Sequence, residues 1–190
     1  MDDMDKGNAM GFSGRSTSSI LSTSSTASVS VRVCPCSSVS SPAVLLLAWG
    51  NPLRRDDGVG WAVAHAIRET DAANKMKIVE THQLTAELAE TIQRFRRVIF
   101  IDAGTVGEPG AVRCERVEPA YGEAASLTHH CSPATLLALA KDLYGAAPEA
   151  TVLEIVGEDF GMGEGLSERV RQAVPEAVRR LLDLVCAAKT

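Results

Sequence analysis

Three groups of polar side chains in this chain have types that do chemistry together: Asp56-Asp57, Asp102 and His129-His130. Two carboxylates and an imidazole make a fitting ligand set for a divalent first-row metal. Each group also has a plainer reading. An aspartate ahead of a helix often caps it or sits against its positive end, and taken alone Asp57 suits that structural role better. Asp102 is harder to dismiss, because a carboxylate closing the apolar run Val98-Ile99-Phe100-Ile101 needs a partner or a ligand. His65 and His82 read as surface or satisfied histidines. The doublet His129-His130 rises above that, although sequence neighbours seldom both point at one site. Cys131 has no base at hand except those histidines, and Gly58-Val59-Gly60 lacks the third glycine of a dinucleotide loop.

These residues must be held by elements that the hydrophobic pattern lays out in alternation. Ala43 to Trp49 is a short apolar run of strand length, stopped by Gly50-Asn51-Pro52. Val59, Ala62, Val63, Ala66 and Ile67 then recur at helical spacing. Lys75 to Glu80 reads as a second strand, and Thr85 as the cap of a helix that turns Leu88, Ile92 and Phe95 inward. Arg97 to Asp102 is β-branched and aromatic, hence a central parallel strand that ends on Asp102 before Ala103-Gly104 turns the chain away. Ala111 to Val117 alternates like an edge strand with one wet face.

Ser132-Pro133 has the form of a helix start and Gly145 that of its close, with Leu136, Leu137, Leu139, Ala140 and Leu143 between them. Thr151 to Val156 is a last strand. A glycine-rich loop, Gly157 to Gly165, leads to Ser167 as a further cap. The remainder to Ala188 is helical, with Val170, Val174, Val178, Leu181, Leu182 and Val185 inward and a break or kink expected at Pro175. The expected fold is α/β: a single domain, a three-layer α/β/α sandwich around a mostly parallel twisted sheet. Ligands of such sheets sit at the carboxyl ends of the strands, where all three polar groups fall.

The chain has 190 residues, 45% of them apolar and 23% charged, with a net charge of -5. That balance speaks against nucleic acid or an anionic membrane as the main partner. Five scattered cysteines fit a reducing cytoplasm better than a disulfide framework. Residues 1–41 differ in composition: serine and threonine dominate from Ser13 to Ser41, and no amphipathic period emerges. Such a stretch cannot bury enough apolar surface to offset its ordering entropy, so it reads as a disordered extension to a folded domain over 42–190. Its Cys34-Pro35-Cys36 has no second pair at zinc-ligand spacing.

The stretch Gly50-Asn51-Pro52-Leu53-Arg54-Arg55-Asp56-Asp57-Gly58-Val59-Gly60 resembles the first motif of the hydrogenase maturation proteases. The resemblance continues through His82-Gln83-Leu84-Thr85, Val98 to Ala103, Ser132-Pro133-Ala134, Phe160-Gly161 and Gly163 to Ser167. It thus spans residues 43 to 188, leaving out the serine-rich extension. It implies an endopeptidase that trims the C-terminus of a [NiFe]-hydrogenase large-subunit precursor after nickel insertion. It also implies three nickel-sensing side chains: an acidic residue of the first motif, matched by Asp57; the aspartate of the central strand, Asp102; and a histidine ahead of the next helix. The spacing to Pro133 and Ala134 selects His129 over His130 for the last.

The nickel would belong to the substrate, with no tightly bound cofactor in the protease itself. A soluble cytoplasmic monomer of aspartyl type would fit, its partner the precursor. Two other classes stay open: a non-catalytic chaperone for the same precursor, and a metallohydrolase with its own ion.

Overall fold

A computed structural model describes residues 43–121 and 131–186. Among the described residues, five strands are interspersed with helices. β1 (Val44–Trp49) leads to α1 (Val59–Arg68), β2 (Met76–Thr81) to α2 (Leu88–Ile92), and β3 (Arg97–Gly104) to β4 (Val112–Val117). After the gap come α3 (Pro133–Tyr144), β5 (Glu149–Val156) and α4 (Glu168–Cys186). The sheet order is β2-β1-β3-β5-β4. Every pair is parallel except β4 with β5, which is antiparallel. A three-layer α/β arrangement around a mostly parallel sheet is therefore what the chain adopts.

Alternation along the central strands supplies both cores, because successive side chains point to opposite faces. Val44, Leu46, Ala48, Ile99 and Ile101 pack on one face against Val59, Val63, Ala64 and Ile67 of α1 and Val170, Ala177 and Leu181 of α4. Leu45, Leu47, Val98 and Phe100 pack on the other against Ala89 and Ile92 of α2 and Leu136, Leu137 and Ala140 of α3. With both faces covered, β1 and β3 need continuous apolar sequence, which is what they have.

Several local expectations change. β3 does not stop at Asp102 but runs two residues further, paired on one side only. Its register with β1 ends at Ala48–Ile101, while that with β5 continues to Gly104–Val156. Thr85 does not cap α2 with its side chain; Glu87 holds the cap position, and the Thr85 carbonyl accepts from Leu88 N. Ser132 does cap α3, its Oγ accepting from Thr135 N at 3.1 Å, but Leu143 near the other end is 65% exposed.

Pro175 leaves α4 unbroken: the helix runs through it for 19 residues. Proline removes one hydrogen bond, and the buried stripe Val170, Ala173, Ala177, Leu181 and Val185 holds the helix on the sheet regardless. Val174, Val178 and Leu182 are half-buried and pack against the same core. Among the described residues no helix is long and apolar enough to cross a membrane. Residues 1–41, read as a disordered extension, lie outside the described residues.

Candidate active site

The order of strands creates the crevice. From β1 the chain moves outward to β2, then returns past β1 to form β3 on its other side. Where the winding reverses, the connections leave the carboxyl ends of β1 and β3 in opposite directions, and a ligand can enter between them. Both candidate aspartates belong to that crevice. Asp57 lies in the 3-10 turn Arg55–Gly58 that follows β1, and Asp102 is the first residue of β3 beyond its pairing with β1.

The turn is set by close backbone packing. Gly50 has φ +126°, and a Cβ there would stand 1.9 Å from the Asp57 carbonyl oxygen, so only glycine fits. Asn51 N donates to Asp57 Oδ2 at 2.9 Å, and Asn51 Oδ1 accepts from Leu53 N at 3.0 Å. Gly60, at the start of α1, would place a Cβ 3.0 Å from the carbonyl oxygens of both Trp49 and Ile101. The helix therefore starts directly over the ends of β1 and β3.

Asp102 is half-buried, and its Oδ1 accepts from Ala103 N at 2.8 Å. Burial, helped by the nearby Asp57 and Glu154 carboxylates, pushes its carboxyl up to about 7 against the pull of that hydrogen bond. Asp57 and Asp102 thus feel each other's charge, and among the described residues neither has a salt bridge.

Asp56 has a different place from its neighbour. It is 0% exposed. Its Oδ2 accepts from Glu158 N at 2.8 Å, Asp159 N at 2.9 Å and Ser167 Oγ at 2.8 Å, and its Oδ1 accepts from Ser167 N at 2.7 Å. Burial works against its ionisation, but these four bonds outweigh it and hold the carboxyl below its usual range. The structural role anticipated for an aspartate here falls on Asp56, and toward α4 rather than α1. Ser167 stands at the start of α4 as expected, its carbonyl accepting from Arg171 N at 2.9 Å, and its hydroxyl donates to Asp56.

His129 and His130 lie outside the described residues. Among those described, no group of three histidine, cysteine, aspartate or glutamate side chains could hold a metal ion. Cys131 is half-buried, its thiol pushed up by burial and by Glu87, which is the wrong direction for a nucleophile. His82 is exposed, its ring 5.2 Å from that of Trp61 at 33°, and Trp61 Nε1 donates to Thr81 O at 3.3 Å. His65 is exposed on α1 beside Glu80 at 3.6 Å.

Two contributors escaped sequence reasoning. Glu154 stands across from Asp102 in the β3–β5 register, with Arg113 at 3.7 Å. A glutamate inside the apolar run Thr151 to Val156 was the signal that could have found it. Asp56's partners lie more than a hundred residues away and left no local sign. A separate cavity of about 270 Å³ lies at the amino edge of the sheet, between the end of β4, the end of α3 and the start of β5, away from both aspartates.

Comparison with known proteins bears on this geometry. The family model described as hydrogenase maturation protease matches residues 62–184. Among solved structures, the [NiFe] hydrogenase maturation protease HybD from Thermococcus kodakarensis is similar at 26% identity and TM-score 0.58, covering 75% of this chain and 98% of that one. The hydrogenase maturating endopeptidase HybD from E. coli is similar at 22% identity and TM-score 0.62, covering 77% and 93%. The maturation protease HycI from Thermococcus kodakarensis is similar at 20% identity and TM-score 0.61, covering 77% and 94%. No curated protein sequence matches the chain. The last two likenesses show a shared fold, whereas the family model spans more than half of the chain: this protein belongs to the hydrogenase maturation protease family and is a peptidase.

Proposed function

We propose that this chain removes the C-terminal peptide of a [NiFe]-hydrogenase large-subunit precursor, and does so only when nickel is in place. The observation that carries the reading is the carboxylate pair Asp57 and Asp102. They lie at the switch point of the sheet, close enough for the charge of Asp57 to raise the carboxyl of Asp102, and no described cation neutralises them. A divalent ion arriving within the substrate would relieve that repulsion, and an empty precursor would not.

The donor types suit the task. Nickel held by thiolates of the precursor can accept two oxygens and an imidazole without being withdrawn, whereas a thiolate-rich protease would compete for it. His129, the imidazole implied by the resemblance, completes this set. The metal is cargo of the substrate, so the protease needs no resident ion of its own. We read the enzyme as a cytoplasmic monomer, aspartyl-type in that its working groups are carboxylates rather than a serine or cysteine.

The test mixes the full chain with nickel-loaded and with metal-free precursor. Cleavage is followed by mobility shift and by mass spectrometry of the released peptide. Only the loaded precursor should be cut, and Asp102→Ala should stop the reaction without unfolding the domain. Efficient cleavage of metal-free precursor would refute the nickel checkpoint while leaving a protease. Binding of the precursor with no cleavage at all would point to a chaperone.

A further inference from the structure

Asp56 is the one charged side chain among the described residues that is fully buried, and the chemistry above makes no use of it. All of its donors come from the two ends of one loop, Glu158 and Asp159 on one side and Ser167 on the other. The main chain repeats the connection: Asp56 N donates to Asp159 O at 3.0 Å, Arg55 N to Gly163 O at 3.0 Å, and Gly163 N to Leu53 O at 2.9 Å. Arg55 Nη1 adds a salt bridge to Asp159 at 3.2 Å.

Arg55 itself has φ 50°, which a non-glycine residue keeps only where its surroundings over-determine it. The turn is therefore held in shape by the distant loop. Asp57 is the next residue of the same turn, with its own N–H bonded to Arg54 O at 3.1 Å.

We propose that Asp56 is a positioning residue for Asp57: anchored to Glu158, Asp159 and Ser167, it fixes the Arg55–Gly58 turn and so the place of the Asp57 carboxylate beside Asp102. The proposal rests on the reading that Asp57 serves precursor processing, and it adds a residue that touches neither substrate nor nickel. Asn keeps one acceptor oxygen but turns an amide toward the Ser167 N–H or its companions, so Asp56→Asn weakens the anchor without emptying the space. Ser167→Ala removes one donor of four, and Ser167→Thr keeps it.

The experiment uses the full chain and two readouts. The first is amide hydrogen exchange at Asn51, whose N–H reports on Asp57 through the 2.9 Å bond. The second is kcat and KM on nickel-loaded precursor, measured where circular dichroism shows each variant folded. Asp56→Asn should speed exchange at Asn51 by about tenfold and lower kcat by about tenfold, with KM within about twofold of wild type. Ser167→Ala should fall between, and Ser167→Thr should restore both values.

If folded Asp56→Asn loses protection at Glu158, Asp159 and Ser167 but keeps it at Asn51, the anchor holds the loop alone and the proposal is overturned. Should Asp56→Asn fail to fold, Ser167→Ala decides by the same comparison. If wild type does not cut the precursor, the functional reading fails, and exchange at Asn51 still decides the positioning.

Discussion

Asp56→Ala and Asp57→Ala remove the same side chain one position apart, yet the structure assigns them different consequences for stability. Asp56 accepts four hydrogen bonds while 0% exposed. A hydrogen bond to a charged group contributes roughly 1.5–3 kcal/mol, but Glu158 is exposed and water can reach part of the vacated space, so the losses do not simply add. The net cost of Asp56→Ala should be about 3–5 kcal/mol, or roughly 10 °C in melting temperature for a domain of this size.

Asp57 is half-buried and accepts one bond within the described residues, from Asn51 N. Its removal also relieves repulsion with Asp102, so about 1 kcal/mol or less is expected. Urea denaturation of the full chain, followed by circular dichroism, measures both. The pH dependence sharpens the contrast. Because the carboxyl of folded Asp56 lies below its unfolded value, its contribution is complete above the ordinary aspartate range and disappears as pH falls through the lower folded value. Asp56→Ala should therefore lose part of its deficit relative to wild type in acid. Equal destabilisation by the two substitutions at pH 7, within about 0.5 kcal/mol, would refute the division of roles.

Three further outcomes are expected. With its carboxyl raised to about 7, folded Asp102 is protonated in mild acid and ionises as pH rises through 7, so kcat/KM for loaded precursor should climb across that range; a climb that survives in Asp102→Asn would assign it elsewhere. Gly50→Ala must place a methyl against the Asp57 carbonyl at φ +126°, and should cost about 3 kcal/mol or more in urea denaturation; an unchanged midpoint would show that the turn can move. Ser132→Ala removes the α3 cap and should lower stability by about 1 kcal/mol, read from the thermal midpoint, with Ser132→Asp nearly neutral.

What could be read from the chain is what depends on near neighbours. The apolar runs of β1 and β3 announce strands covered on both faces, and Ser132-Pro133 with Gly145 frame α3 by short-range rules alone. Asp57 and Asp102 were legible as a pair because a doubly wound sheet puts the ends of these strands together. What stayed hidden depends on distant partners. The two extra residues of β3 exist because β5 pairs with them, and the stopping signal at Ala103-Gly104 was overridden by that ladder. Ser167 is legible as the start of α4, but not as the partner of Asp56, which lies 111 positions earlier in the chain. Pro175 looks like a breaker until the apolar stripe on either side of it is seen pressed against the sheet.

Among the described residues, β4 closes one side of the sheet and pairs only with β5. A terminal strand is a row of peptide groups ready to template another, and any extended chain that meets it is a hazard. Its sequence answers that hazard: Arg113, Glu115 and Arg116 are exposed, and Arg180 Nη1 occupies the Val112 carbonyl at 2.7 Å. Any extended segment that tried to zip onto this margin would have to dehydrate ions of both signs. Accretion is thus discouraged at this margin of the sheet.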